Sequence, residues 1–113
     1  MSEARARHVS LEQAAAMGPP PPGNLAVPVF SAGELEVELY EPQGVDRQKP
    51  HTRDELYVVA RGEGMFFDGI ERQSVSEGSF IFVPAGREHR FEDFSEGFAV
   101  WVVFYGPEKA RHA

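Results

Sequence analysis

The sequence contains no cysteine among its 113 residues. Disulfide bridges, thiolate metal ligands and a cysteine nucleophile are therefore excluded. Basic residues are few beside acidic ones, 11 against 18, which gives a formal net charge of -7. Because this charge opposes binding to phosphate backbones and to anionic membranes, we predict no nucleic-acid partner and no membrane partner.

Long apolar runs are also missing from the chain. The amino-terminal segment MSEARARHVSLEQ has no apolar stretch of signal-peptide length. No other segment approaches the roughly 20 apolar residues of a membrane-spanning helix. We therefore predict a cytoplasmic protein. A chain of this length supports one domain and leaves no room for a second independent core.

The first part of the chain predicts a helix followed by a stiff connector. Ser10 and Gln13 have the spacing of a capping box, which predicts a short helix over LEQAAAM. Gly18 and the four prolines at 19–22 end this helix, because proline cannot continue the hydrogen-bond ladder. The tetraproline is a spacer in this interpretation, with a partner-binding motif as the alternative.

We accordingly divide the chain into three parts. Residues 1–24 form the helical and proline-rich lead-in, residues 25–107 the globular domain, and residues 108–113 a tail. From residue 25 onward the apolar pattern has the period of two that strands require. In GELEVELY the glutamates alternate with apolar residues, and we expect this acidic face to meet water. Further short strands, separated by Gly, Pro and Asp, are typical of an all-β sandwich or barrel.

Three of these strands indicate that a sheet is covered on both faces. The segments LYVVA, SFIFV and AVWVVFY are apolar at consecutive positions, which a strand with one wet face should not be. We predict that a second copy of the chain covers the outer face, as a two-fold homodimer. The alternative is that the amino-terminal helix and residues 25–30 cover this face within one chain.

Two spaced motifs carry the functional interpretation. Residues 78–89 read GSFIFVPAGREH, with the spacing GxxxxxPxGxxH, and residues 44–62 read GVDRQKPHTRDELYVVARG. In the second segment Glu55 is followed by six residues and then Gly62. These segments match the two signatures of the cupin barrels, and the chain resembles a small single-domain cupin. The resemblance implies an all-β double-stranded β-helix, or jelly-roll barrel, here with a short amino-terminal helix.

The resemblance also implies a metal site formed by His51, Glu55 and His89. Such a set of two histidines and one carboxylate leaves open coordination positions, and iron, manganese, nickel and zinc are all chemically admissible. Only one histidine is present where the family signature has two. Either His51 takes the second place, with Lys49 in the first, or it takes the first place, with Arg53 in the second.

The residues around His51 suggest a class of substrate. If residues 49–55 form a regular strand, Lys49 and Arg53 lie on the same face as His51 and Glu55. They would then make the pocket positive and favour a small anionic substrate, with surface salt bridges as the alternative. A buried Glu55 would be costly without a cation or Arg53 beside it.

The candidate apolar walls of the pocket are Tyr57, Phe91 and Trp101, although aromatic strand residues are more often core. We expect a metal-binding cupin that acts as a metal-dependent enzyme, a dioxygenase, isomerase or lyase, on a small organic molecule. The sequence identifies no catalytic residue. The alternatives are a non-catalytic small-ligand or sensor cupin that has lost one metal ligand, and an interaction protein that works through the tetraproline and the outer sheet.

Overall fold

The structure, a computed structural model, describes residues 5–109. Within that range the chain forms one short helix and eight strands. In chain order these elements are α1 (Leu11–Ala15), β1 (Val27–Ala32), β2 (Leu35–Tyr40), β3 (Asp54–Arg61), β4 (Glu63–Phe67), β5 (Arg72–Ser76), β6 (Phe80–Val83), β7 (Arg90–Glu92) and β8 (Ala99–Tyr105).

The strands form two antiparallel sheets with the main core between them. One sheet has five strands in the order β1-β2-β8-β3-β6, and the other has three in the order β5-β4-β7. Both sheets contribute to the core, the five-stranded one through Tyr57 and Val100 and the three-stranded one through Phe66 and Phe91. The predicted all-β jelly-roll fold is therefore confirmed.

The amino-terminal helix forms as its capping box predicts. The Ser10 hydroxyl accepts a hydrogen bond from the Gln13 amide at 3.0 Å, and the Gln13 side chain accepts one from the Ser10 amide at 2.9 Å. Ala14 is fully buried in a second apolar cluster with Leu39 and Ala99 on the outer face of the five-stranded sheet. This part of the outer face is thus covered within one chain, as the alternative interpretation proposed.

The far edge of the same face is not covered in this way. Strand β6 pairs only with β3 and presents Phe80 and Phe82, whose side chains are 63% and 49% exposed. Two large aromatic side chains on an edge strand therefore contact solvent in the isolated chain. Within residues 5–109, no helix has the length and apolarity that crossing a membrane requires.

The expectation for β2 is confirmed only in part, because Glu36 is exposed as expected of the acidic face whereas Glu38 is not. Leu39 lies on the outer face beneath α1, whereas Tyr40 belongs to the core between the sheets and Glu38 is half-buried and lines an interior cavity. The acidic face of β2 is thus the inner one, toward the open end of the barrel. The helix reverses the usual polarity because it supplies an apolar surface outside the sheet.

The strands begin at Val27 and end at Tyr105, within the domain expected at residues 25–107. The first two residues of the expected tail contact the barrel. The Lys109 amide donates to the Thr52 carbonyl at 2.6 Å, and its ammonium group contacts Asp54 at 2.5 Å. Residues 1–4 and 110–113 of the predicted lead-in and tail lie outside the described residues, and the domain boundaries stay predictions.

Candidate metal centre

The structure brings His51, Glu55 and His89 together inside the barrel. His51 lies in the loop before β3, Glu55 on β3 itself, and His89 directly before β7. The Nε2 atoms of His51 and His89 lie 3.5 Å and 3.0 Å from Glu55 Oε1. Each residue offers one ligand atom, and these atoms all lie within 4.8 Å of one another, so the group can hold a metal ion.

Glu55 is the most informative member of this group. Its side chain is 0% exposed, and neither carboxylate oxygen has an aligned hydrogen-bond donor. The contact with His89 has the distance of an ion pair without the alignment of a hydrogen bond. Burial of a carboxylate without hydrogen bonds is costly. A positively charged group beside both oxygens would offset this cost.

Arg53 is not that partner, and its assignment to the pocket was wrong. Its guanidinium contacts the Glu36 carboxylate and the Glu34 carbonyl, and its Nε donates to the Gly106 carbonyl at 3.1 Å. The reason is that β3 begins only at Asp54, so residues 49–53 are a loop in which strand alternation does not apply. The negative charge of Glu55 must therefore be neutralised by the two histidines or by a bound ion.

The two imidazoles differ in their protonation. Burial lowers the pKa of His51, although the neighbouring Glu55 carboxylate acts in the opposite direction. Burial also acts to lower the pKa of His89, but Glu55 and the Arg87 carbonyl oxygen outweigh it and raise that pKa above its usual value. His51 therefore favours the neutral form that binds metals, whereas Glu55 shifts His89 toward the protonated form.

The backbone orients His89 as a metal ligand requires. Its Nδ1 lies 2.8 Å from the Arg87 carbonyl oxygen, which can only accept a hydrogen bond. This contact places a proton on Nδ1 and leaves Nε2 toward Glu55 for a proton or a metal, the outer-shell arrangement common among metal-bound histidines.

The spacing of the donor atoms also fits an ion. Metal–ligand bonds of about 2.0–2.2 Å at tetrahedral or octahedral angles place neighbouring donor atoms roughly 3.0–3.5 Å apart. The observed separations from Glu55 Oε1, 3.5 Å to His51 and 3.0 Å to His89, fall in this range. A divalent cation would supply the positive partner that the unpaired oxygens of Glu55 lack.

Tyr57 was expected as an apolar wall of the pocket, but it is fully buried in the core beside this group and does not line the cavity described below. Its hydroxyl lies 3.0 Å from His89 Nε2 and donates to the Gln48 side-chain oxygen at 2.6 Å. Burial, with the nearby Glu55 and Asp46 carboxylates, raises the pKa of Tyr57 well above its usual value, so the phenol stays protonated. Gln48 and Asp46 were missed by sequence reasoning, because both fall at positions of the first motif where any residue is allowed.

A cavity of about 570 Å³ opens beside His51. Its wall includes Val102 and Phe104 of β8, and the Glu38 carboxylate projects from β2. Lys49 lies at the exposed mouth, as expected of a pocket residue. Burial and the nearby Glu36 and Glu55 carboxylates raise the pKa of Glu38, a residue that sequence reasoning had assigned to the solvent face.

Two aromatic residues expected in the pocket lie elsewhere. Phe91 is 1% exposed and packs edge-on against Tyr57 and Phe98 in the core, with ring centroids 5.0 Å and 5.2 Å away. Trp101 lies on the outer face of the five-stranded sheet, beside the α1 cluster. The expectation failed for Trp101 because strand β8 is apolar on both faces, so its pattern did not show which residues point inward.

A two-sheet β barrel with histidines and a carboxylate at one end defines a class of protein, the jelly-roll barrels with a metal-capable interior. The profile of the cupin domain family matches residues 36–105. The chain therefore belongs to the cupin family, as the two motifs indicated. An uncharacterised protein of Streptomyces coelicolor is 46% identical over 76 residues, which cover 66% of this chain and 72% of that relative.

Solved structures show the same fold at low sequence identity. A cupin-2 domain protein from Shewanella frigidimarina has a TM-score of 0.69 at 13% identity, covering 87% of this chain and 94% of that one. A protein of unknown function from Rhizobium leguminosarum has a TM-score of 0.73 at 18% identity, covering 92% and 100%. A DMSP lyase from Ruegeria pomeroyi has a TM-score of 0.57 at 22% identity, covering 66% and 40%.

Proposed function

We propose that this protein is a metal-dependent cupin enzyme that acts on a small organic molecule, with His51, Glu55 and His89 as metal ligands. The observation that carries the proposal is Glu55, a fully buried carboxylate with both oxygens unpaired and two imidazole nitrogens within 3.5 Å. The loss of Arg53 from the pocket supports it, since no other positive side chain contacts this carboxylate among residues 5–109.

The cavity beside His51 supports a ligand with an acidic group. Arg47 and Lys49 both lie at its exposed mouth, where they attract anions into a protein that is otherwise acidic. The aliphatic and aromatic surface of Val102 and Phe104 gives the ligand's carbon skeleton an apolar wall. The volume of about 570 Å³ suits a small metabolite rather than a polymer.

The residues around the cavity also offer acid–base chemistry. When bound, a divalent ion would supply a Lewis acid for a carbonyl or carboxylate group or a centre for oxygen activation. Glu38 lines the same cavity, and its raised pKa brings the carboxyl group closer to the range in which it can exchange a proton near neutral pH. We assign Glu38 as the proton-transfer group and Lys49 as the group that orients the anion.

A non-catalytic ligand-binding cupin is the second candidate. One observation favours it, namely that the first motif contains a single histidine where the family signature has two. The two functions share the cavity and differ in whether an ion is held there.

Metal analysis tests the proposal. Protein purified without a histidine tag, and then dialysed against Mn²⁺, Fe²⁺, Ni²⁺ or Zn²⁺, is expected to retain about one ion per chain. His51→Ala and His89→Ala should each lose most of this metal, because each removes a nitrogen ligand. Glu38→Gln is the matched control, since it alters a carboxylate in the cavity that is not a proposed ligand.

Wild-type protein that stays metal-free after dialysis with all four ions would contradict the metal-dependent function and favour the ligand-binding one. Equal metal content in wild type, His51→Ala and His89→Ala would show that the ion binds elsewhere. Loss of metal in Glu38→Gln alone would show that Glu38 of β2 is a metal ligand and that the ion lies closer to that strand.

A further inference from the structure

Gln48 is a polar residue beside the candidate ligands, and sequence analysis assigned it no role. It lies in the loop before β3, and its side-chain oxygen Oε1 points toward His51. Oε1 lies 3.5 Å from His51 Nε2 and 2.6 Å from the Tyr57 hydroxyl, which in turn lies 3.0 Å from His89 Nε2. A neutral oxygen donor thus borders the His51 imidazole and is linked to the His89 imidazole through the Tyr57 hydroxyl.

The orientation of this amide is fixed by Asp46. The Gln48 amide nitrogen donates to Asp46 Oδ2 at 2.7 Å, and the Gln48 backbone amide donates to Oδ1 at 3.0 Å. A carboxylate accepts hydrogen bonds, so the NH₂ group must face Asp46 and the carbonyl oxygen must face His51 and the Tyr57 hydroxyl. A flip of the amide would place two acceptors against each other.

Asp46 is itself held rigidly. It is 6% exposed and also accepts from the Tyr40 hydroxyl at 2.6 Å and from the Phe91 amide at 2.8 Å. These bonds tie the loop to β2 and to β7, which come from opposite sheets. The hydrogen bonds through Asp46 therefore fix the position of the Gln48 oxygen before any ion binds, as a metal ligand requires.

We propose that the Gln48 side-chain oxygen is a fourth protein ligand of the metal centre, in the role of the histidine that the first motif lacks. This inference rests on the proposed metal-dependent function. The separation of 3.5 Å between Gln48 Oε1 and His51 Nε2 equals that between His51 Nε2 and Glu55 Oε1, and both fit neighbouring ligands. An amide oxygen has two lone pairs, so it can accept from Tyr57 and also face an ion.

The ligand set then has two nitrogens and two oxygens instead of three nitrogens and one oxygen. Oxygen donors favour the harder divalent ions such as Mn²⁺, whereas an added imidazole favours Cu²⁺ and Zn²⁺. Replacing Gln48 should therefore change both the affinity for Mn²⁺ and the number of nitrogens bound to Cu²⁺.

The experiment measures Mn²⁺ affinity, from the electron paramagnetic resonance of the free ion, together with the nitrogen hyperfine pattern of the Cu²⁺-loaded protein. Gln48→Ala should weaken Mn²⁺ binding by roughly tenfold or more and leave two coordinated nitrogens. Gln48→His should show a third coordinated nitrogen. Gln43→Ala is the matched control, because Gln43 is an exposed residue of the same loop whose side chain donates to the Glu41 carbonyl.

The outcomes separate this inference from the proposed function. If Gln48→Ala binds Mn²⁺ as wild type does while His89→Ala does not, the metal centre stands and Gln48 is not a ligand. If Gln48→His shows no third nitrogen, position 48 does not reach the ion and the inference is overturned even where Gln48→Ala is poorly folded. If wild type binds neither ion, both the proposed function and this inference are wrong.

Discussion

Lys49 and Arg53 are four positions apart in one loop, yet they have different surroundings. Lys49 lies at the exposed mouth of the cavity beside His51. Arg53 is tied to Glu36 and to two backbone carbonyls outside it. At the scale of single residues, the ammonium group of Lys49 can therefore bind a ligand, whereas the guanidinium group of Arg53 stabilises the barrel.

We predict that Lys49→Gln weakens binding of a small carboxylate such as malonate to the metal-loaded protein by roughly three- to fivefold, the effect of one exposed charge pair. Arg53→Gln is the control and should change this affinity by less than about twofold. Isothermal titration at low salt measures both. A larger loss in Arg53→Gln than in Lys49→Gln would show that the anion is recognised at a different place.

The three candidate metal ligands could be predicted from sequence because the motifs fix residue type and spacing together. His51, Glu55 and His89 are brought within ligand distance as the spacing indicated, and their role as ligands stays a proposal. Gln48 could not be predicted, since its placement depends on the bonds of a loop to Asp46 and not on any period. Arg53 was misplaced for the same reason.

At the scale of elements, an ion pair in the three-stranded sheet links its outer strands, β5 and β7, across β4. Glu92 on β7 lies 2.7 Å from Arg72 on β5 and 2.7 Å from Arg90. The guanidinium groups of Arg72 and Arg90 hold the pKa of Glu92 below its usual value of 4.5. The carboxylate therefore stabilises the folded state only where it is ionised.

The lowered pKa of Glu92 sets how its contribution to stability changes with pH. Because the folded pKa lies below the unfolded one, the contribution of Glu92 is present above about pH 4.5 and is lost as the pH falls through the folded pKa. We expect Glu92→Gln to be less stable than wild type at about pH 6, with the difference in unfolding free energy shrinking toward about pH 3. Urea denaturation at several pH values measures it.

Glu88→Gln is the control for this series. Among residues 5–109 the exposed Glu88 carboxylate has one ion pair, with Arg90 at 3.2 Å, so its removal should alter the pH curve less. A difference between wild type and Glu92→Gln that is the same at both ends of the pH range would contradict the assignment.

Strand β2 shows an element-scale prediction from sequence that holds only in part. Its alternation identified a strand correctly, since the period of two is a property of the chain itself. Which face is buried depends on what packs outside the sheet, and here α1 covers Leu39 while Glu38 points into the cavity. The position of α1 on the sheet could not be derived from the helix signals of Ser10 and Gln13.

At the scale of the whole molecule, the outer face of β6 is an exposed apolar surface. Phe80 and Phe82 lie together on this edge strand and are largely exposed, whereas α1 covers the opposite part of the sheet. The homodimer stays a prediction, and this edge is the surface on which a second copy would bury apolar area.

We predict that wild-type protein sediments as a dimer at low micromolar concentration and that Phe82→Asp sediments as a monomer with unchanged metal content. A buried charge without a partner opposes association. Ile70→Asp is the control, because Ile70 is 74% exposed in the β4–β5 turn, away from this face. A monomeric wild type, or equal effects of the two substitutions, would show that β6 is not the interface.

The most direct test of the metal centre is anomalous X-ray diffraction from crystals equilibrated with Mn²⁺. We predict one strong peak inside the barrel, within about 2.0–2.4 Å of His51 Nε2, His89 Nε2 and a carboxylate oxygen of Glu55. Empty density between these three side chains, with Mn²⁺ bound only at surface carboxylates, would contradict the claim that they form a metal site.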